Sequence, residues 1–184
     1  MSPRVAFLLP VMLLLGAGCG ITDFFQKTTE TVTQKAAESA ASMALKKQLG
    51  KDVDVDVNKQ GATFTDTSSG RVFAIGEHVS IPSNFPKDVP LDADCVPTSV
   101  SLDVAKGEAA LLCVSSKNHN DARDWYEKEA TSNGWALEQH QEIMGSIYLS
   151  FIQSDQSGKS KLLISITTGA DGKTNLMIAR SGGE

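Results

Sequence analysis

The sequence has few of the residues that build metal-binding, redox or nucleic-acid-binding sites. It contains three histidines and three cysteines in 184 residues, and no two cysteines form a C-x-x-C pair. Its 22 acidic side chains outnumber 17 basic ones, which gives a formal net charge of −5 without any Lys/Arg-rich cluster. Because nucleic-acid phosphates require concentrated positive charge, this composition argues against a nucleic-acid partner.

The sequence also lacks the short motifs that mark common catalytic sites. It has no G-x-S-x-G nucleophile motif, no H-E-x-x-H zinc motif, no Walker loop and no Rossmann glycine pattern. His78, His119 and His140 are isolated in sequence, which does not favour a metal site. The acidic run over 121–129 is typical of a solvated helix face. We therefore expect no enzymatic activity, no metal and no cofactor.

Residues 1–18 have the layout of a leader that is removed from an exported protein. Arg4 is the only charged side chain before Asp23, and residues 5–15 form an apolar run. That run is shorter than the ~20 residues that a membrane-spanning helix needs. The segment Leu15-Gly16-Ala17-Gly18-Cys19 follows, and it resembles the lipobox of bacterial lipoproteins, with Leu15 four residues before the cysteine rather than three.

The lipobox resemblance implies cleavage after Gly18 and a diacylglycerol group on Cys19, with a further acyl chain such as palmitate on the new amine. Two or three acyl chains attach a protein durably to a membrane, whereas one binds only marginally. We therefore expect a lipid-anchored protein of the cell envelope. Gly20 stands where an Asp would favour inner-membrane retention, so the expected site is the outer membrane, facing the periplasm, in an organism with two membranes. An ordinary secretory peptide and an uncleaved anchor are the alternatives.

If Cys19 carries lipid, Cys95 and Cys113 remain as an even pair. An even pair in an oxidising compartment is most simply a disulfide. Two free thiols are the alternative, and a metal site lacks the necessary spacing.

The segment before residue 81 divides into two parts. Residues 19–50 are rich in Ala, Lys, Glu and Gln, and they predict a lipid attachment site followed by a spacer helix. A helix that docks on a partner is the alternative. Residues 51–80 predict a small β meander, because DVDVDVN at 52–58 alternates with the period of a strand. A calcium loop is disfavoured, since Thr63 stands where an EF-hand needs a bidentate Glu.

Residues 81–94 form a proline-rich link, in which Pro82, Pro86 and Pro90 exclude a helix or a central strand. The motif P-x-x-F-P-x-D-V-P, together with Gly134-Trp135, resembles a loose set of uncharacterised bacterial lipoproteins. These share an Ala-rich helix, a strand pair, this link and an α+β domain. The resemblance is structural and implies no activity and no functional residues.

Residues 95–184 predict an α+β domain in the order ββαββββ, a two-layer antiparallel sheet with one helix. Asn118 or Asn120 is the expected N-cap of the helix, and Gly134 its end. Trp125, Tyr126 and Trp135 are candidate ligand-binding residues, although packing of the helix on the sheet is the simpler interpretation.

The sequence as a whole favours a membrane-anchored envelope lipoprotein with a non-catalytic role in partner binding or envelope assembly. The alternative is a carrier or sensor of a small or apolar ligand held between helix and sheet. The expected partners are a membrane, through lipid on Cys19, and an envelope protein.

Overall fold

The computed structural model describes residues 34–49, 52–58, 60–155 and 158–182. The leader, Cys19 and the first half of the predicted spacer lie outside these residues. The chain divides into two compact units, Met1–Ala41 and Ser42–Glu184. The first helix, α1, spans Gln34–Leu49, within the predicted spacer, and carries Lys46 and Lys47 in its last turn. Cations there suit the negative end of the helix dipole.

Within the described residues, nine antiparallel strands form one sheet in the order β1-β2-β3-β4-β5-β9-β8-β7-β6. The strands before the second helix are β1 (Val53–Asn58), β2 (Gly61–Asp66), β3 (Val72–Gly76), β4 (Cys95–Asp103) and β5 (Glu108–Ser115). Those after it are β6 (Ala136–Ile143), β7 (Ser146–Asp155), β8 (Gly158–Thr168) and β9 (Thr174–Ser181).

Strand β1 has the alternation that its sequence predicts. Val53, Val55 and Val57 are buried, and the residues between them are exposed. Successive side chains of a strand point to opposite faces, so DVDVDVN separates its valines from its carboxylates. The carboxylates therefore form a solvated face.

The predicted α+β class is confirmed in its general form, but the sheet contributes more of the fold than expected. Strand β3 pairs with β4 across the whole proline-rich link, with Ala74 opposite Val100. The strands of 51–80 therefore extend the same sheet as those after residue 95. Sequence periodicity identifies strands but does not state which strands pair across a long connection.

One face of the sheet is covered by the second helix, α2, which spans His119–Ser132 and packs on β6, β7 and β8. Asn118 caps this helix, because its side chain accepts a hydrogen bond of 3.0 Å from the backbone N of Asp121. This satisfies one of the free N–H groups of the first turn. The helix buries Ala122, Tyr126 and Ala130 against the sheet.

The core beneath α2 consists of alternate side chains of the central strands. Residues such as Leu111, Leu149, Phe151, Ile164 and Ile178 are at most 1% exposed. Each fully buried side chain of this size contributes about 1.5–3 kcal/mol relative to an exposed one. Phe85 and Val89 of the link belong to the same core, so the link is part of the covering layer.

The structure places Cys95 and Cys113 at disulfide-bonding distance, as predicted, with Cα atoms 5.6 Å apart. The two residues lie on the neighbouring strands β4 and β5. The bond cross-links the strand that follows the link to the centre of the sheet.

Candidate functional site

A surface groove of about 380 Å³ lies between the proline-rich link and helix α2. We call it the link–helix groove. Its lining combines apolar side chains with three polar ones: Phe85, Pro86, Lys87, Val89, Pro90, Leu91, Trp125, Glu129 and Asn133. Aromatic and apolar walls with a few polar groups are the usual composition of a binding site.

The link wall of the groove is anchored to the domain through Asp88. Its side chain accepts a hydrogen bond of 2.9 Å from Arg180 Nε, and its backbone oxygen accepts one of 2.8 Å from Trp135 Nε1. Arg180 also donates to the backbone oxygen of Gly107 and lies 6.0 Å from the centre of the Trp135 ring. These contacts join the link to β9 and to the end of α2, so the wall is formed before any ligand arrives.

These contacts also account for the sequence motif of the link. Phe85 and Val89 insert into the core, while Asp88 between them makes the polar contacts. Gly134, with a φ of +86°, ends the helix in a conformation that suits glycine and is followed at once by Trp135. The F-P-x-D-V-P and Gly-Trp segments therefore contact each other in the fold, through the hydrogen bond between Trp135 and Asp88.

The helix wall of the groove is built around Trp125. Its ring meets Tyr126 edge to face, with ring centres 4.7 Å apart. On another side Lys117 Nζ lies 5.8 Å from the centre of the Trp125 ring. Tyr126 is fully buried, and burial raises the pKa of its hydroxyl, so it stays neutral at ordinary pH. Trp125 is thus held by neighbours on two sides while it lines the groove.

Lys117 connects this wall to the end of the link. Its Nζ donates hydrogen bonds of 2.6 Å to Asp94 and 3.0 Å to Asp92. These bonds, that to Asp94 first, raise the pKa of Lys117, so the ammonium group remains charged. Asp92 is buried, and the ammonium group of Lys117 pairs with its negative charge.

The polar side chains of the groove comprise one cation, one anion and one neutral amide. Lys87 belongs to the link and Glu129 to the helix, and Asn133 supplies an amide just beyond the helix end. An amide side chain both donates and accepts hydrogen bonds. The groove can therefore receive an apolar group and pair with polar groups of either sign beside it.

The three candidate ligand-binding residues occupy different surroundings. Trp125 lines the link–helix groove, whereas Tyr126 and Trp135 are at most 1% exposed and fill the space between helix and sheet. Tyr126 and Trp135 therefore act in packing, which is the simpler interpretation of their sequence. Leu91, Lys87 and Asn133 belong to no motif that predicts binding, and Glu129 belongs to the acidic run that is typical of a solvated helix face. Lys87 and Leu91 lie within or just after the proline motif, and Asn133 immediately precedes Gly134-Trp135, which was the only signal in the sequence.

Of the acidic run and the histidines discussed above, Glu129 lines the link–helix groove, whereas Glu127 and His140 meet each other elsewhere. His140 Nδ1 lies 3.1 Å from Glu127 Oε1, and Arg123 contacts Glu142, along the edge between α2 and β6. Across the described ranges, no group of three or more His, Cys, Asp or Glu residues is arranged to hold a metal ion. The helices of the described part also include none with the length and apolar character to cross a membrane.

Comparisons of the chain with protein families, with curated proteins and with solved structures found no match.

Proposed function

We propose that the chain is a bacterial envelope lipoprotein, attached to a membrane by lipid on Cys19, whose folded domain binds another protein without catalysis. The leader and the lipobox-like segment support the attachment. A Cys95–Cys113 pair at bonding distance is consistent with an oxidising compartment.

The binding part is the link together with the ββαββββ segment from Cys95 to Ser181. The observation that carries this proposal is the link–helix groove, an open groove that combines apolar and polar lining and is supported by Asp88, Arg180 and Trp135. A preformed site does not lose the free energy of ordering its own chain when it binds.

We assign the groove to an extended segment of an envelope protein that presents an apolar side chain between polar ones. The apolar side chain would contact Trp125 and Pro86. A basic neighbour would pair with Glu129 and an acidic neighbour with Lys87. Buried aromatic residues dominate the affinity of such contacts, and charges at the margin set orientation and specificity.

A carrier of a small apolar ligand is the second candidate, because a volume of about 380 Å³ is also that of a small-molecule site. The ligand would occupy the groove rather than the space between helix and sheet. That space is filled by Tyr126, Trp135 and Phe151, each at most 1% exposed.

A photo-crosslinking residue at Leu91 tests the proposal in living cells. Leu91 lines the groove and is 39% exposed, whereas Met144, in the turn after β6, is fully exposed and serves as the control. We expect one protein of defined mass to crosslink at position 91 and not at 144. Labelling at both positions, or at neither, contradicts a protein-binding groove.

Two substitutions confirm that the crosslink reports on the groove. Lys87→Glu reverses a lining charge, and Lys173→Glu makes the same change at a site that is 66% exposed in the turn before β9. Loss of one anchor contact of ~2 kcal/mol weakens binding about 30-fold, so the crosslink should fall strongly with Lys87→Glu and persist with Lys173→Glu. Native mass spectrometry distinguishes the second candidate, since a co-purified small molecule in place of a crosslinked protein favours the carrier.

A further inference from the structure

The face of the sheet that is turned away from α2 is open at its centre. On strands β5, β9, β8 and β7 the outward residues alternate with the core residues, and the strand register aligns them in rows. Two adjacent rows define what we call the open face: Leu112, Met177, Ser165 and Tyr148 in one, and Ala110, Ala179, Leu163 and Ser150 in the other.

The eight residues of the open face are uncharged and mostly apolar, in a chain with a net charge of −5. The carboxylate of Glu138, which accepts a hydrogen bond of 3.3 Å from Ser150 Oγ, lies at the margin of the face beside β6. The four large side chains of the open face remain between 36% and 44% exposed: Leu112, Leu163, Met177 and Tyr148. The other four are alanine or serine. Contiguous apolar surface of this kind marks an interaction site, whereas single exposed apolar residues need no explanation.

We propose that the open face binds a second copy of this chain, sheet against sheet. The inference goes beyond the proposed function and does not depend on the link–helix groove. Because the centre of the face carries no charge, it has no group that would attract a charged partner. The apolar faces of two sheets pack on one another with their strands nearly aligned, so a second sheet suits this surface.

The order of large and small side chains makes the open face complementary to itself. A two-fold axis along the strands, between β8 and β9, places β8 of one copy over β9 of the other. Met177 then faces Ser165 of the second copy, and Leu163 faces Ala179. Large side chains thus meet small ones in both directions, as interdigitating sheet faces require.

The outer positions follow the same symmetry. The axis brings Leu112 on β5 over Tyr148 on β7 of the second copy, so an aliphatic side chain covers an aromatic ring. Ala110 lies over Ser150 in the neighbouring row. A closed two-fold contact uses the same surface on both subunits and leaves no open end for further assembly.

The available area suits a small specific dimer. The neighbouring strand β4 adds Ser99 and Ser101 to the same rows. A third row lies beside the two and contains Val96, Val114, Asn175 and Thr167. Five strands at ~4.8 Å spacing, over three rows about 7 Å apart, give a patch of roughly 500 Å² before the added area of protruding side chains is counted. Specific interfaces begin at about 600 Å² per partner, so the open face together with this row and its protruding side chains approaches that range.

Crosslinking of the full chain in cells tests this arrangement. The Met177→Cys variant places a thiol within reach of its own copy across the axis, and a short bismaleimide joins the two. Met144→Cys, at a fully exposed position outside the open face, is the matched control, and wild type reports any background from Cys19. We expect a product of twice the chain mass for Met177→Cys alone.

A charge in the open face should remove that product. Leu163→Glu, combined with Met177→Cys, puts a carboxylate into each half of the contact, and Met144→Glu in the same background is its control. Circular dichroism melting shows whether each variant is folded. Three results would overturn the second-copy proposal. They are the absence of a dimer product from Met177→Cys, an equal yield of dimer from Met144→Cys, and a crosslink from Met177→Cys to a different protein.

Discussion

Asp66 organises the turn between β2 and β3 with a single carboxylate. Its Oδ1 accepts hydrogen bonds of 2.8 Å from Ser68 N and 2.6 Å from Ser68 Oγ, and its Oδ2 accepts one of 2.6 Å from Ser69 Oγ. These bonds favour the ionised form and lower the pKa of Asp66 below its usual value of 3.8. The turn is therefore most stable when Asp66 is charged.

The contribution of Asp66 to stability should depend on pH. Because its pKa is lower in the folded chain, the contribution is complete above about pH 4 and is lost as pH falls toward the folded value. We expect Asp66→Asn to lower Tm at pH 6 and to differ less from wild type at pH 2.5. Thermal melts at both values check this, with Asp171→Asn as an exposed control; an equal difference at both pH values contradicts it.

Asp88 should contribute clearly to the stability with which the link is held on the domain. Asp88→Ala leaves Arg180, whose side chain is 13% exposed, without its carboxylate. Loss of a hydrogen bond to a charged group, with its partner left partly buried, costs about 1–3 kcal/mol. Asp54→Ala is the matched control, because the Asp54–Lys46 pair is 66% and 48% exposed, and such pairs contribute up to about 1 kcal/mol.

Denaturant unfolding measures both variants. We expect Asp88→Ala to lower the free energy of unfolding clearly more than Asp54→Ala does. Similar losses would show that the Asp88 contacts do not anchor the link.

At the scale of elements, the strands that alternate clearly were predictable from sequence. Val53, Val55 and Val57 in β1, and Leu162, Ile164 and Ile166 in β8, alternate with outward residues in the sequence and are buried in the structure. The β3–β4 pairing was not predictable, because it depends on how the link turns rather than on periodicity. The link–helix groove was only partly predictable, since Trp125 and the prolines are distinctive while Leu91 and Asn133 are not.

The Cys95–Cys113 cross-link should contribute measurably to the stability of β4 and β5. Its two residues are 18 positions apart, and closing a loop of that size stabilises a fold by about 3 kcal/mol in the chain-entropy model. We expect Cys95→Ser with Cys113→Ser to lose about this amount in denaturant unfolding. Wild type in excess reductant should match the double variant. An unchanged free energy of unfolding in both cases would show that the pair is not bonded in solution.

At the scale of the whole molecule, the two candidate binding surfaces lie on different sides of the sheet. The link–helix groove belongs to the covered side, with α2 and the link, and the open face lies on the other. A dimer formed through the open face would leave both grooves accessible. Each dimer could then hold two copies of one partner, and linked sites of this kind raise overall affinity without new contacts.

Membrane attachment through Cys19 is the proposal on which the cellular role depends. Cys19→Ser removes the thiol that would carry lipid, and one or more acyl chains contribute ~0.8 kcal/mol per buried methylene to membrane binding. We expect the variant to appear as soluble or unprocessed protein, because no lipid remains to hold the mature chain. Cys95→Ser with Cys113→Ser is the control, since it also removes cysteines but should leave attachment unchanged. Fractionation and the mass of the N-terminal peptide measure the result, and full membrane attachment of the processed Cys19→Ser chain would contradict lipid anchoring.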